Sequence, residues 1–555
     1  MFRKPVLFIL SCSLILPLFA QLTDQQTQKL DSIFLSWNQP NHPGGVVGVR
    51  KGSENVYLKA FGLASLDYLV PNQTATLFNL ASVSKQFTAM GILILEKEGK
   101  LSVDDKISQY IPNLTDIGDK ITIRHMLHHT SGIRSFHELL YYAGWRWGDY
   151  RSNEDIYRLM ESQQDLNFEP GSQYMYCNTG YLYMAYIIEK LTGEAFPYWM
   201  KKHVFEPLGM RDTYVEDNIS RVVPHNATSY FGNSEEGFQR SIDYWAYVGS
   251  GNMHATAADL LIWGAHFYNP KEGWGDLFQR LQEVDPFNDG TPNNYAFGVN
   301  VNEVRGMTSI AHGGSIGGFR SNLVVIPEEE LVITILTNYS RANPGGKTYE
   351  VFEIVAEDLA EDSGQKEVQE DPAVIQISGR ELKSFEHSWW NARDKFMRRT
   401  YIKNDTLMYW RGENNESPMV PIGKREFKLL EVDGRDLRVK FEVKGSHAEM
   451  VMTEPGRLPW EFDGFAATEG TPQEWKGYVG QYYSPELEVV YEFRWQDDQL
   501  VAYHQRHGYY ALERVKKDVL DAGNFVAEFQ RDKAGKVTGV LFSSGRVRNL
   551  RLEKR

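Results

Sequence analysis

Ser82-Val83-Ser84-Lys85 places a hydroxyl and an amine three positions apart. A serine hydroxyl is a weak nucleophile at neutral pH and needs help losing its proton. On a helix, a lysine three residues further on lies over the same face. Its ammonium can stabilise an alkoxide, or, where burial depresses its pKa, its amine can take the proton. A helix start adds free N–H groups and a dipole that favour developing negative charge. Beyond Lys85, the residues Phe87, Met90, Leu93 and Ile94 recur at helical spacing, and Gly99 ends the run. The four-residue pattern is common by itself, but a lysine at the head of an apolar helix needs a reason.

Two other clusters carry compatible chemistry. Tyr176-Cys177-Asn178 precedes a helical pattern over 179–191 that Thr192 and Gly193 close. In an extended segment, residues two apart project to the same side, so Tyr176 and Asn178 can face a cleft while Cys177 faces the core. A phenolate beside a lysine can act as a base, and an amide can hold a carbonyl or orient the lysine. Asn178 could equally be a plain helix N-cap. The third cluster is His312-Gly313-Gly314-Ser315, followed by Gly317, Gly318 and Phe319. Glycines let a substrate backbone approach a strand edge. An N–H from that edge, with the N–H of Ser82, would form an oxyanion hole. Arg320 either binds a substrate carboxylate or is an ordinary surface charge.

Rival readings are weaker. Residues 313–317 fit G-x-S-x-G, with Ser315 as nucleophile, but that elbow needs a helix after it. Here a glycine and then an apolar hairpin containing Pro327 follow. His125, His128 and His129 cluster without the glutamate of a zinc-binding H-E-x-x-H. They are expected to line the floor of the site or cap a helix, and no metal or other cofactor is expected.

The elements that must position these residues read as an α+β domain. Residues 46–60 form two strands turning at Gly52 and Ser53. Residues 323–326 and 331–336 form a second hairpin. The first and last strands can then share one antiparallel sheet flanked by helices. Residues 357–372 are acidic and polar and read as a linker. Beyond it, residues 381–390 (ELKSFEHSWW) resemble 474–483 (EWKGYVGQYY), an offset of 93, and at that offset NDTL at 404 falls on DDQL at 497. Two related antiparallel β-barrel-like units are expected. The organisation is therefore a leader over 1–20, a catalytic domain over 21–356, a linker over 357–375, and β-units over 376–465 and 472–555.

Composition narrows the setting. Arg3 and Lys4 precede a short apolar run to Phe19, which reads as an export signal leading to the periplasm or beyond the cell. No stable membrane insertion is expected after its removal. The only cysteines are Cys12 and Cys177, so the mature chain has no internal disulfide. A net charge of −14 over 555 residues argues against nucleic acid as a partner. A small peptide or ester substrate fits better.

In this order, Ser82-x-x-Lys85, Tyr176-x-Asn178 and His312-x-Gly314 resemble the serine β-lactamase and penicillin-binding-protein superfamily. The likeness is to its class C branch, with D-Ala-D-Ala carboxypeptidases, D-aminopeptidases and related esterases. The context of 78–88 (FNLASVSKQFT), 127–132 (LHHTSG), 169–181 (EPGSQYMYCNTGY) and 312–321 (HGGSIGGFRS) agrees. The resemblance covers residues 25–345. It implies an acyl-enzyme on Ser82, with Lys85 and Tyr176 handling the proton and Asn178 positioning the substrate. The N–H groups of Ser82 and Ser315 would polarise the carbonyl. Class C β-lactamases typically carry lysine where this chain has His312, which points toward a peptidase or esterase. A catalytic domain followed by two barrels resembles the D-aminopeptidases. A non-catalytic penicillin-binding sensor is the alternative of a different class.

Overall fold

The computed structural model describes residues 21–111, 113–357, 374–412, 415–430, 437–444, 447–454, 458–466 and 471–555. The expected leader and most of the expected linker lie outside the described residues.

Six antiparallel strands form the central sheet of the first domain. Their order is Asn300–Val304, Met307–Ile316, Phe319–Ile326, Leu331–Thr337, Gly45–Lys51 and Glu54–Phe61. The first strand of the chain thus pairs with the last of this domain, with Val47 opposite Ile335 and Val49 opposite Ile333. Every residue of Leu331–Thr337 is buried because helices cover both faces of the sheet. Val47, Val49, Ile333 and Ile335 pack with Leu30, Phe34 and Phe352 from the helices Asp24–Phe34 and Pro344–Val355. On the opposite face, Val46, Val332 and Leu336 join a core that includes Leu260 and Leu261 of the helix Ala257–Ala265. The side-chain period of two in a strand makes this division.

The helix Lys85–Lys97 is buried from Lys85 through Leu95 and packs against the helix Asn178–Thr192. Gly91 allows the approach, since a Cβ there would stand 2.8 Å from Ile188 Cδ1. Gly193, at φ 70°, ends the second helix in the left-handed conformation that favours glycine.

The tail holds two antiparallel sheets. Eight strands between His387 and Phe465 close into a barrel. Nine strands between Gly480 and Lys554 come round almost as far, with Gly480–Ser484 paired to Val547–Lys554 and an open seam between Gly508–Ala511 and Glu513–Lys516. The 93-residue offset appears in both. Asn404 and Asp405 have φ of 50° and 58°, and Asp497 and Asp498 have 49° and 59°. Each pair makes a two-residue hairpin turn, between Lys403 and Thr406 and between Gln496 and Gln499. Two successive positive φ values are what the twist of such hairpins requires, and Asn and Asp tolerate them.

The second sheet docks on the first domain. Arg134, fully buried, donates to the Glu486 carboxylate at 2.6 Å and to the carbonyls of Arg548 and Asn549. Tyr491 donates its hydroxyl to the carbonyl of Tyr142, and His507 stacks on Tyr141 with centroids 4.4 Å apart.

Candidate active site

Ser82 sits in a single 3-10 turn, Ala81–Ser84, that feeds directly into the helix Lys85–Lys97. Ala81 just before it has φ 48°, a left-handed conformation that costs an alanine on the order of 1–2 kcal/mol. Three hydrogen bonds hold the turn in place. The Ala81 N–H donates to Asn79 Oδ1 at 2.8 Å, the Leu80 N–H to Met253 O at 2.7 Å, and Ser321 Oγ to Leu80 O at 2.7 Å. The strain therefore lies next to the candidate nucleophile and is held there by the fold.

Lys85 is completely buried. Its Nζ lies 3.4 Å from Ser82 Oγ and donates to the carbonyl of Ser250 at 2.6 Å. Its amine also lies 4.9 Å from the centre of the Tyr176 ring and 5.5 Å from that of Tyr181. Burial pushes its pKa well below the usual lysine value, and the nearby positive charge of Arg546 pushes the same way. The neutral amine is thereby made available as a proton acceptor from Ser82.

Tyr176 shows the opposite shift. Burial raises its pKa, only partly offset by Ser82. Its hydroxyl makes no well-aligned hydrogen bond. The sequence allowed a phenolate base here, but the buried surroundings favour the neutral phenol, which can donate a proton. Cys177 points the other way, its Sγ 3.2 Å from the carbonyl of Ile133. Asn178 opens its helix as the first residue, with Cys177 as the cap, and lines the cavity.

His312 is buried, and its Nε2 lies 2.9 Å from the hydroxyl of Tyr295. Its Nδ1 contacts the carbonyl of Gly313 at 2.6 Å, so Nδ1 is the protonated nitrogen and the tyrosine donates to Nε2. Burial, with help from Lys85, lowers its pKa to about 3. The first position of the third motif is therefore uncharged at neutral pH. Gly314 is required sterically: a Cβ would fall 2.2 Å from Ser321 Oγ and 2.3 Å from Leu80 O.

Strand Asn300–Val304 pairs only as far as Ala311, so residues 312–316 present a free edge beside the Ser82 turn. Ile316 and Phe319 flank a two-residue turn. Ladder alternation then makes Ser315 and Arg320 a non-hydrogen-bonded pair, and the Ser315 N–H points away from the neighbouring strand. Ser315 lies in a strand followed by a strand, so it lacks the helix that a nucleophile elbow needs. Arg320 takes another role. Its guanidinium donates to the carbonyls of Gly317 and Phe319, bracing the turn, and it is not among the residues lining the cavity.

The cavity over Ser82 has a volume of about 590 Å³, enough for a short peptide. Trp145, Trp147, Trp245 and Tyr141 give it an aromatic wall. Within the histidine cluster, His125 closes a capping box with Thr122, and His128 lies 3.1 Å from Asp285. His129 accepts the Cys177 N–H at 3.1 Å and packs on Tyr176. It thus holds the second motif in place.

Sequence reasoning missed Tyr295, Ser250 and Arg546. Tyr295 orients His312, and the Ser250 carbonyl receives the lysine. Arg546 comes from the final β-sheet, its guanidinium 5.1 Å from the Tyr176 ring. None of them stands in a local pattern, and only their distance in space to the three motifs identifies them.

Known proteins resemble this chain mainly over its first domain. The family model described as Beta-lactamase matches residues 19–355. The chain is 26% identical over 300 residues to a D-aminopeptidase of Gluconobacter oxydans (strain 621H), covering 54% of this chain and 56% of the relative. It is 28% identical over 341 residues to "Penicillin-binding protein 4*" of Bacillus subtilis (strain 168), covering 57% and 73%. The match thus spans little more than half the length of the D-aminopeptidase. Among solved structures, the octameric penicillin-binding protein homologue from Pyrococcus abyssi superposes with a TM-score of 0.55 at 21% identity, covering 79% of this chain and 99% of that one. That likeness is one of fold.

Proposed function

Because the chain belongs to the beta-lactamase family of serine hydrolases, we propose that it is a peptidase acting through an acyl-enzyme on Ser82, with D-amino-acid-containing or cell-wall-type peptides as substrates. The observation that carries this reading is the Lys85 amine, buried and 3.4 Å from the Ser82 hydroxyl. Lys85 takes the proton as Ser82 Oγ attacks the substrate carbonyl. The N–H groups of Ser82 and Ser315 receive the oxyanion. Asn178 holds the substrate amide. The Tyr176 phenol gives its proton to the departing amine and is reprotonated from Lys85. Water then attacks the ester, by the same groups in reverse, and frees the acid.

Neutral His312 and Gly314 shape the strand on which the substrate lies. A site with no charge at the third motif suits amide and ester substrates better than β-lactams, and the similarity to D-aminopeptidases favours a peptidase over a carboxylesterase. The similarity to D-aminopeptidases supports the D-configuration. The charged start and apolar run of residues 1–20 support export. Among the described residues, no helix is long and apolar enough to cross a membrane.

A panel of D-amino acid amides, D-Ala-D-Ala peptides, p-nitrophenyl esters and nitrocefin tests the reading. Turnover of the amides or peptides, lost in Ser82→Ala with the fold intact, is expected. A fluorophosphonate or penicillin that labels Ser82 and stays attached, with no turnover of any substrate, would identify a sensor instead. Activity that survives Ser82→Ala overturns the assignment.

A further inference from the structure

The tip of the last hairpin, between strands Val537–Ser544 and Val547–Lys554, enters the cavity that holds Ser82. Its backbone is clamped to the first domain. The carbonyl of Arg546 accepts the Ser135 N–H at 3.2 Å and the Asn167 side-chain amide at 3.1 Å. Two residues on, the Arg548 N–H donates to Asn167 Oδ1 at 2.7 Å. The side chain of Arg546 then turns inward, over the ring of Tyr176.

Three arginines line this cavity, and they are not equivalent. Arg146 spends its guanidinium on the carbonyl of Arg506, and Arg151 donates to the carbonyl of Arg146 and packs on Trp245. Arg546 has no side-chain hydrogen bond and no ion pair among the described residues. Glu138 is the single carboxylate among the lining residues, and it forms no ion pair with any of the three. A protein of net charge −14 thus keeps a cationic cavity with one guanidinium whose donors are uncommitted. A guanidinium presents a planar fork of N–H donors that matches a carboxylate with two parallel hydrogen bonds. Tyr176, over which Arg546 sits, is the group assigned to protonate the leaving amine.

We propose that Arg546, supplied by the C-terminal β-sheet, receives a carboxylate on the leaving group of the substrate, so that the site selects peptides whose departing residue carries a free carboxyl group. This deepens the peptidase reading above and rests on it. The amino acid released would then be a C-terminal one, and the tail would be a working part of the site.

The test compares kcat/KM for N-acetyl-D-alanyl-D-alanine with that for its C-terminal amide, with p-nitrophenyl acetate as a neutral reference. The intact protein should favour the free acid by about 10–100-fold, the range for a bidentate charged hydrogen bond. Arg546→Gln should bring the ratio close to one, mainly through KM for the acid, and Arg546→Lys should restore part of it. Because Arg546 also acts on Lys85, both rates can shift in these variants, and the ratio isolates carboxylate recognition. Thermal unfolding of each variant checks that the hairpin stays docked. A ratio near one in the intact protein, a preference for the amide, or a ratio unchanged in Arg546→Gln overturns the proposal. Failure of the underlying reading looks different: none of the three substrates is turned over.

Discussion

Arg134 and Glu486, 352 residues apart in the chain, form an ion pair at 2.6 Å from which water is almost fully excluded. Burial opposes both charges, lowering the pKa of Arg134 and raising that of Glu486, and each charge offsets the other's shift. Such a pair adds little net stability but is costly to break, because the survivor is left charged and dry. Arg134→Ala should destabilise the protein by about 3–5 kcal/mol and loosen the docked sheet. Urea unfolding, together with protease sensitivity near residue 486, measures both effects.

The depressed pKa of Lys85 gives a pH dependence with a definite sign. An amine must be neutral to accept a proton, so kcat/KM for a neutral ester should rise with pH through a midpoint well below the usual lysine value. Unfolding returns Lys85 to its ordinary, protonated state. Its burial therefore costs stability below pH 10.5, and the cost grows as pH falls toward the folded-state pKa. Lys85→Met should abolish turnover and stabilise the fold at pH 7 by about 0.5–2 kcal/mol, the usual exchange of activity for stability. A pH–rate profile and calorimetry of the variant check these two signs.

His312 should contribute no inflection near pH 6.5, because its folded pKa is about 3. Its orientation depends on the Tyr295 hydroxyl. Tyr295→Phe removes that donor and leaves Nε2 buried without a partner. A loss of about tenfold in kcat is expected, with the pH profile gaining a step if the ring swings into solvent. An unchanged kcat would show that His312 needs no such partner.

Gly314→Ala drives a methyl group into Leu80 O and Ser321 Oγ. The free strand edge must then move away from the Ser82 turn, which separates the two N–H groups proposed to receive the oxyanion. Misplacement of this order should cost about 100-fold in kcat and about 1–3 kcal/mol in stability. Gly313 has open space around it: a Cβ added there would meet no atom nearer than 3.6 Å. Gly313→Ala is the matched control and should fold normally.

Local patterns carried much of this protein. The Ser82–Lys85 spacing works because one helical turn brings the two side chains together whatever the rest of the chain does. Hairpins at residues 52 and 327 follow from apolar runs broken by turn residues, and the 93-residue repeat follows from paired Asn and Asp at positive φ. Arg320 illustrates the limit. Its spacing from His312 was compatible with substrate binding, but the direction of its side chain depends on the turn carbonyls beside it.

Ser82, Lys85, Tyr176, Asn178 and His312 were legible in the sequence as residue types at spacings that chemistry favours. Their protonation states were not, because a pKa depends on everything that replaces water around the group. The fold buries Lys85 beneath Ser82 and Tyr176 beside it, and burial favours the neutral form of both the amine and the phenol, the states the proposed mechanism uses. It also brings Tyr295 to His312 and carries Arg546 across from the last hairpin. No local pattern connects these segments: the Tyr295 contact forms within the first domain's own fold, and the Arg546 contact only once the final β-sheet has docked on that domain.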